Sequence, residues 1–108
     1  MRSLVIDVGT SGLRAAVVEA DASVSNLHYE ECAPHSPVGG LVEFDAVAMY
    51  TAVKRVSLLA LQSGPVQSVG ITNQRASAVA WRASTGQPIG PAIGWQDLRT
   101  VGECIMAR

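Results

Sequence analysis

Asp7, Gly9, Thr10, Ser11, Gly12 and Arg14 crowd into one short stretch, LVIDVGTSGLRAAVVE, between two apolar runs. Backbone N–H groups in a tight glycine-containing turn point outward and can form a concave anion site. The hydroxyls of Thr10 and Ser11 add further donors. Asp7 repels a bare phosphate, so it makes chemical sense only with a divalent cation between the two charges. Magnesium suits that place, because it keeps much of its hydration shell and meets carboxylates partly through water. Arg14 then brings a positive charge to a transferring group. Acid, small turn and cation together describe a metal–nucleotide phosphate site, and no GxxxxGK[ST] loop competes for that role. A plain hairpin whose turn favours Gly, Thr and Ser for conformational reasons fits the same composition.

These residues need strands to hold them. Residues 3–7 and 13–19 are apolar strand candidates flanking the turn, and 24–32 alternates well enough for a third. Short links between them imply an antiparallel meander, since parallel pairs need a long crossover. Residues 33–44 carry Pro34, Pro37, Gly39 and Gly40 and are expected to be loop. Asp45 suits a helix N-cap. Val47, Tyr50, Val53, Val56 and Ala60 follow as the apolar face, with Met49 in the same stripe, until Gly64 and Pro65 end the helix. Strand 66–72 then joins the meander in parallel through this helical crossover. Residues 76–82 and 92–96 are two further strand candidates, and a helix is expected to begin after Asp97.

The totals narrow the function classes. A chain of 108 residues suits one domain, and 48% apolar residues are enough for a core. A net charge of -1 lacks the basic face that nucleic acid requires, so no nucleic-acid partner is expected. No apolar run reaches the roughly 20 residues of a membrane span, and Asp7 arrives too early for a signal peptide. Cys32 and Cys104 have no paired spacing and suit reduced thiols in a cytoplasmic protein. His28 and His35 lack neighbouring ligands, are expected at the surface, and make no zinc site.

Four ordered blocks carry a family resemblance. DVGTSGLRAAVV resembles the first phosphate-binding hairpin of the sugar kinase/actin/Hsp70 superfamily. GLVEFDAVAMY, VGITNQR and TGQPIGPAIGWQDLRT are similar to successive segments of glycerol kinases. The chain is thus identified as resembling the N-terminal part of an FGGY-family carbohydrate kinase. That resemblance implies an α/β, ribonuclease H-like mixed sheet: a meander of three antiparallel strands, then a helix and a parallel strand. It implies ATP and Mg2+ as cofactors and transfer of the γ-phosphate to an alcohol group of a sugar or polyol.

Residue by residue, the resemblance places Asp7 on the magnesium and phosphate side of ATP. Gly9, Thr10 and Ser11 fall near the phosphates, and Arg14 near the γ-phosphate. Gln74 and Arg75 fall beside the acceptor alcohol. Trp95 falls against the acceptor's carbon skeleton, where an aromatic face covers C–H bonds. Asp97, within a Trp-x-Asp-x-Arg string ending at Arg99, is a candidate acceptor of sugar hydroxyls. Glycerol kinases carry a glutamate where this chain has Ala76, and a substrate hydroxyl left unpaired there costs about 1–3 kcal/mol. Without the family match, Trp95 also suits plain core and Asp97 an N-cap. Trp81 suits core or surface packing.

The resemblance further implies that residues 1–108 are a truncated first domain, inactive alone, because the general base and the adenine pocket fall downstream in such kinases. A homo-oligomer is expected, since an uncovered sheet favours self-association. A non-catalytic ligand-binding or interaction module of the actin-like superfamily is the alternative.

Overall fold

The computed structural model describes all residues from 1 to 108. The chain divides into two compact units. One comprises residues 1–33 and 47–74, the other 34–46 and 75–108.

The first unit holds a four-stranded sheet and one long helix. Strands β1 (Ser3–Val8), β2 (Gly12–Val18) and β3 (Val24–Glu31) form the expected antiparallel meander. Helix α1 (Ala46–Leu61) starts directly after Asp45, and β5 (Ser68–Asn73) then runs parallel to β1. The spatial order is β3-β2-β1-β5. One face of the sheet supplies Leu4, Ile6, Leu13 and Ala15 to a core completed by Ala52, Val56 and Ala60 of α1. Two of the three helix residues are alanines, which lets the helix backbone approach the sheet closely.

The apolar face of α1 is the expected one at Met49, Val53, Val56 and Ala60 but not at Val47 and Tyr50. Val47 and Tyr50 are exposed, whereas Ala52, Val56 and Ala60 are buried, with Met49 and Val53 packed beside them. The cause is geometric. A three-residue spacing drifts by about 60° per step on a helix of 3.6 residues per turn. From Val56 back to Val47 that drift reaches about 180°, so Val47 points away from the sheet.

The far end of α1 is tied to β3 by a bulge. The β2–β3 register shifts between Ala15 and Val17, and Asn26 takes a left-handed φ of 48°. Its Nδ2 donates to the carbonyls of Leu59 and Ala60 at 3.0 and 2.8 Å. Those carbonyls belong to the last turn of the helix, where they also accept from the N–H groups of Gln62 and Ser63 at 3.2 and 3.3 Å. Arg2 fastens the same end of the sheet, donating to Glu19 at 2.8 Å and to the Pro65 carbonyl at 2.9 Å.

The second unit is sparser. Strand β4 (Glu43–Phe44) pairs antiparallel with β6 (Ala92–Ile93), and a short helix α2 (Val101–Met106) follows. The expected strand at 76–82 does not form. Only isolated bridges, Ala78 with Ile93 and Trp81 with Pro88, remain there. Ala76 turns the backbone at a φ of 61°, and Pro88 and Pro91 cannot donate to a ladder. The expected strand 92–96 is likewise cut to two residues. Two-residue β4 lies within the proline- and glycine-rich stretch expected to be wholly loop, and is too short for periodicity to reveal.

Candidate functional site

The turn between β1 and β2 is Gly9-Thr10-Ser11. Gly9 N–H donates to the Gly12 carbonyl at 3.0 Å, which closes the turn. A Cβ on Gly9 would sit 2.7 Å from that same oxygen, so the closure requires glycine. The Ser11 carbonyl accepts from Cys32 N–H at 2.9 Å, pinning the turn to the segment after β3. Ser11 itself is exposed and Thr10 half-buried.

Asp7 and Arg14 lie directly opposite each other on β1 and β2. Arg14 Nη1 meets Asp7 Oδ2 at 3.3 Å, and both side chains are about half exposed. Such a pair contributes only about 0.2–1 kcal/mol, so stability does not require these two residue types here. Arg14 also lies over the Tyr29 ring, 5.1 Å from its centroid. The two charges border an open cavity of about 470 Å3 on the sheet face away from α1, lined also by Val5, Ala16, Leu27, Ile71 and Thr72.

The parallel pairing brings a third element to the same end of the sheet. Asp7 is in register with Thr72 and Val8 with Asn73. Gln74 continues the ladder, its N–H donating to the Val8 carbonyl at 3.1 Å. The side-chain Nε2 of Gln74 reaches the Gly9 carbonyl at 3.4 Å. The structure thus gathers Asp7, Gly9, Thr10, Ser11, Arg14 and Gln74 at the carboxyl ends of β1 and β5, the edge at which open α/β sheets bind ligands. No group of three or more His, Cys, Asp or Glu side chains could cage a metal. A single half-exposed carboxylate beside a turn carrying two hydroxyls instead fits a magnesium ion carried by nucleotide phosphates and water.

Arg75, Trp95 and Asp97 belong to the second unit. Arg75 is exposed. Trp95 is 52% exposed, which removes the plain-core alternative, and its N–H donates to Ser77 Oγ at 3.1 Å. Trp81 is exposed as well. Asp97 is neither open nor a helix N-cap, since α2 begins after Thr100. Its side chain is only 2% exposed. Oδ1 accepts from Arg99 N–H at 2.9 Å and Arg99 Nε at 2.8 Å. Oδ2 accepts from Val42 N–H at 2.6 Å and Arg99 Nη2 at 2.7 Å. Four donors fill the roughly four acceptor positions of a carboxylate. A sugar hydroxyl therefore finds no free lone pair on Asp97. The Arg99 guanidinium bound to both oxygens holds this carboxyl well below the usual carboxylate range, and the Val42 N–H adds to the effect. Arg99 is raised in turn by Asp97 first and by Glu43, which it reaches at 2.8 Å.

Three contributors escaped the sequence. Thr72 became visible only through the β1–β5 register, and Tyr29 through its pairing opposite Arg14 on β3. Ser77 acts through a contact distant along the chain, with no local signal. Glu43 holds its loop by pairing with Arg99.

Comparison with known proteins follows the same lines. The family profile described as "FGGY family of carbohydrate kinases, N-terminal domain" matches residues 3–107. Glycerol kinases of Trichlorobacter lovleyi and Rhodospirillum centenum are each 41% identical over 106 residues, covering 94% of this chain and 21% of theirs. The chain thus spans about a fifth of the length of the curated relatives it matches. Among solved structures, xylulose kinase from Rhodospirillum rubrum superimposes with a TM-score of 0.88 at 19% identity, covering 100% of this chain and 23% of that one. Plasmodium falciparum glycerol kinase with ADP gives a TM-score of 0.81 at 22% identity, covering 97% and 22%. At such identities the likeness establishes the fold alone, and it is the mixed α/β sheet of the sugar kinase/actin/Hsp70 type that the opening hairpin implied.

Proposed function

The chain belongs to the FGGY family of carbohydrate kinases, and from that premise we propose that it forms the phosphate-gripping part of an ATP-dependent sugar or polyol kinase. The observation that carries this reading is the meeting of Gln74 with the Gly9 carbonyl at the edge that holds Asp7. A residue assigned to the acceptor alcohol thereby adjoins the turn assigned to the nucleotide phosphates. Phosphoryl transfer needs such a juxtaposition, because catalysis is mostly positioning and charge stabilisation.

Each side chain has a role. Asp7 would hold Mg2+ on the phosphate side of ATP. Gly9 closes the turn through its N–H, and Thr10 and Ser11 would present their backbone and hydroxyls to the phosphates. Arg14, only weakly paired with Asp7 at 3.3 Å, would offer its guanidinium to the γ-phosphate. Tyr29 keeps that side chain lying along the sheet. When bound, magnesium neutralises charge on the transferring group. Gln74 and Arg75 orient the acceptor hydroxyl, and the exposed face of Trp95 covers its carbon skeleton. No carboxylate of this chain is assigned the task of taking the acceptor proton. We place the enzyme in the cytoplasm. No helix is long and apolar enough to cross a membrane.

Ala76 bears on the acceptor. A methyl group cannot accept a hydroxyl hydrogen bond, so the substrate class extends to acceptors other than glycerol. The test is ADP release by the longer reading frame carrying this chain, with Mg·ATP and a panel of polyols, ketoses and sugar acids. At least one acceptor should stimulate release, and Asp7→Asn should lower kcat/KM by about 100-fold or more. Asp7→Asn activity close to wild type removes the metal–phosphate assignment.

A further inference from the structure

We propose that Asp97 and Arg99 form a positioning pair that sets the exposed Trp95 ring, and that neither is a ligand of the acceptor. What Trp95 does once set rests on the kinase reading above; the clamp itself does not.

The argument begins with Val42. Asp97 Oδ2 accepts its N–H at 2.6 Å, and its carbonyl accepts the N–H of Gly94 at 2.8 Å. One residue of the 34–46 segment is therefore gripped from both sides of Trp95 in sequence. The fit is close: a Cβ on Gly94 would lie 3.0 Å from Val42 Cγ1, so Gly94 seats directly on that side chain. Asp97 N–H returns to the Gly94 carbonyl at 3.0 Å, folding residues 94–97 into a turn with Trp95 on its crest. Ser77 holds the Trp95 N–H itself. Next along the chain, Leu98 N–H donates to Gly40 at 2.7 Å. The backbone on both sides of Trp95 is thus tied to the 34–46 segment, while the indole stays half in solvent.

Arg99 locks the anchor. It contacts Asp97 through its backbone N–H, Nε and Nη2, and Nη2 also reaches Glu43 of β4. Only a planar fork makes these contacts together; a lysine ammonium cannot span both carboxylates in this way. An aromatic platform for C–H bonds is useful only when its plane is fixed before the substrate arrives. A side chain this exposed, without its clamp, would sample several rotamers on the picosecond to nanosecond scale.

The experiment has two arms. The chain contains two tryptophans, so Trp81→Phe leaves Trp95 as sole indole reporter. In that background Asp97→Asn and Arg99→Lys should each increase the sub-nanosecond decay of Trp95 fluorescence anisotropy, with far-UV circular dichroism unchanged. The double variant should match either single one, because the pair acts as a unit. Glu43→Gln, which removes the charge from one Arg99 partner and leaves Asp97 intact, serves if Asp97→Asn does not fold, and should show a smaller increase. Unchanged anisotropy in the folded variants overturns the clamp. In the longer kinase, Asp97→Asn and Arg99→Lys should raise acceptor KM alike, by about tenfold, the equivalent of about 1.4 kcal/mol. KM for Mg·ATP should stay level. A rise with Asp97→Asn alone identifies Asp97 as a ligand and overturns the proposal. Absence of kinase activity refutes the function proposed above, while the anisotropy arm still decides the clamp.

Discussion

Gly9→Ala and Gly12→Ala look alike on paper and should behave very differently. Both glycines leave less than 3 Å for a Cβ, but the obstacles differ in kind. At Gly9 the obstacle is the Gly12 carbonyl oxygen, 2.7 Å away, which is backbone and also the acceptor that closes the turn. A carbon and an oxygen settle near 3.3 Å, about the shortest ordinary C···O separation, so the turn must open by roughly 0.6 Å. Overpacking of this kind costs about 1–3 kcal/mol, and the weakened hydrogen bond adds about 0.5–1.5 kcal/mol. With about 0.4–1 kcal/mol recovered by restricting the unfolded chain, a net loss of about 1–4 kcal/mol is expected. At Gly12 the obstacle is the Tyr29 ring, whose Oη would lie 2.4 Å from the new Cβ. Tyr29 is 52% exposed and can swing outward. That forfeits its contact with Arg14, about 0.5–1 kcal/mol at an exposed site. Replacing glycine recovers about 0.4–1 kcal/mol by restricting the unfolded chain. The net change at Gly12 should stay within about 1 kcal/mol of zero. Urea unfolding followed by circular dichroism measures both, and with a slope of about 1.5 kcal/mol/M the two midpoints should differ by roughly 1–3 M. Tyr29→Ala should make a subsequent Gly12→Ala free of any contact loss. Equal destabilisation by the two alanines, or a larger loss at Gly12, would refute this account of the turn.

Other expectations follow from single features. Val56→Ala should cost about 1.5–3 kcal/mol because the side chain is 2% exposed in the core, whereas exposed Tyr50→Ala should change stability by less than about 0.5 kcal/mol; thermal melts of the pair check the phase of α1. Ala76 holds a left-handed φ that costs a non-glycine residue about 1–2 kcal/mol, so Ala76→Gly should be neutral or slightly stabilising, and a loss above about 1 kcal/mol argues against that conformation. Acid should destabilise the chain. Glu19 is lowered chiefly by the Arg2 side chain, Glu30 by Arg55 and Asp97 by Arg99. Carboxyls depressed in the folded state lend stability that is complete above their unfolded values, about 3.9–4.3, and lost as pH falls through the lower folded ones. Urea midpoints should therefore stay level from pH 7 to about pH 5 and decline below about pH 4. A midpoint unchanged at pH 3 contradicts these assignments.

Local pattern carried much of the first unit. Alternation and short links were enough for β1 to β3, and a helical crossover was enough for parallel β5, because strand pairing and handedness follow from connection length. It carried the turn between β1 and β2 as well, since Gly9, Thr10 and Ser11 are contiguous. The phase of α1 was not legible in the same way. Several apolar spacings fit one sequence: Val56 and Ala60 are buried as expected, and only contact with the sheet selects Ala52 over Val47 and Tyr50.

The second unit shows where sequence stops. Nothing near Asp97 in the chain announces that Val42 will donate to it, or that Glu43 will share Arg99. Those partners lie more than fifty residues away, and a carboxylate looks the same on paper whether its lone pairs are free or filled. The residue types alone determined the tight turn that follows β1 and the family to which the chain belongs. Tertiary contact alone decided that Gln74 meets that turn, that Trp95 stands exposed, and that Asp97 spends its hydrogen bonds inside the protein, because each depends on which backbone groups folding brings within 3 to 4 Å.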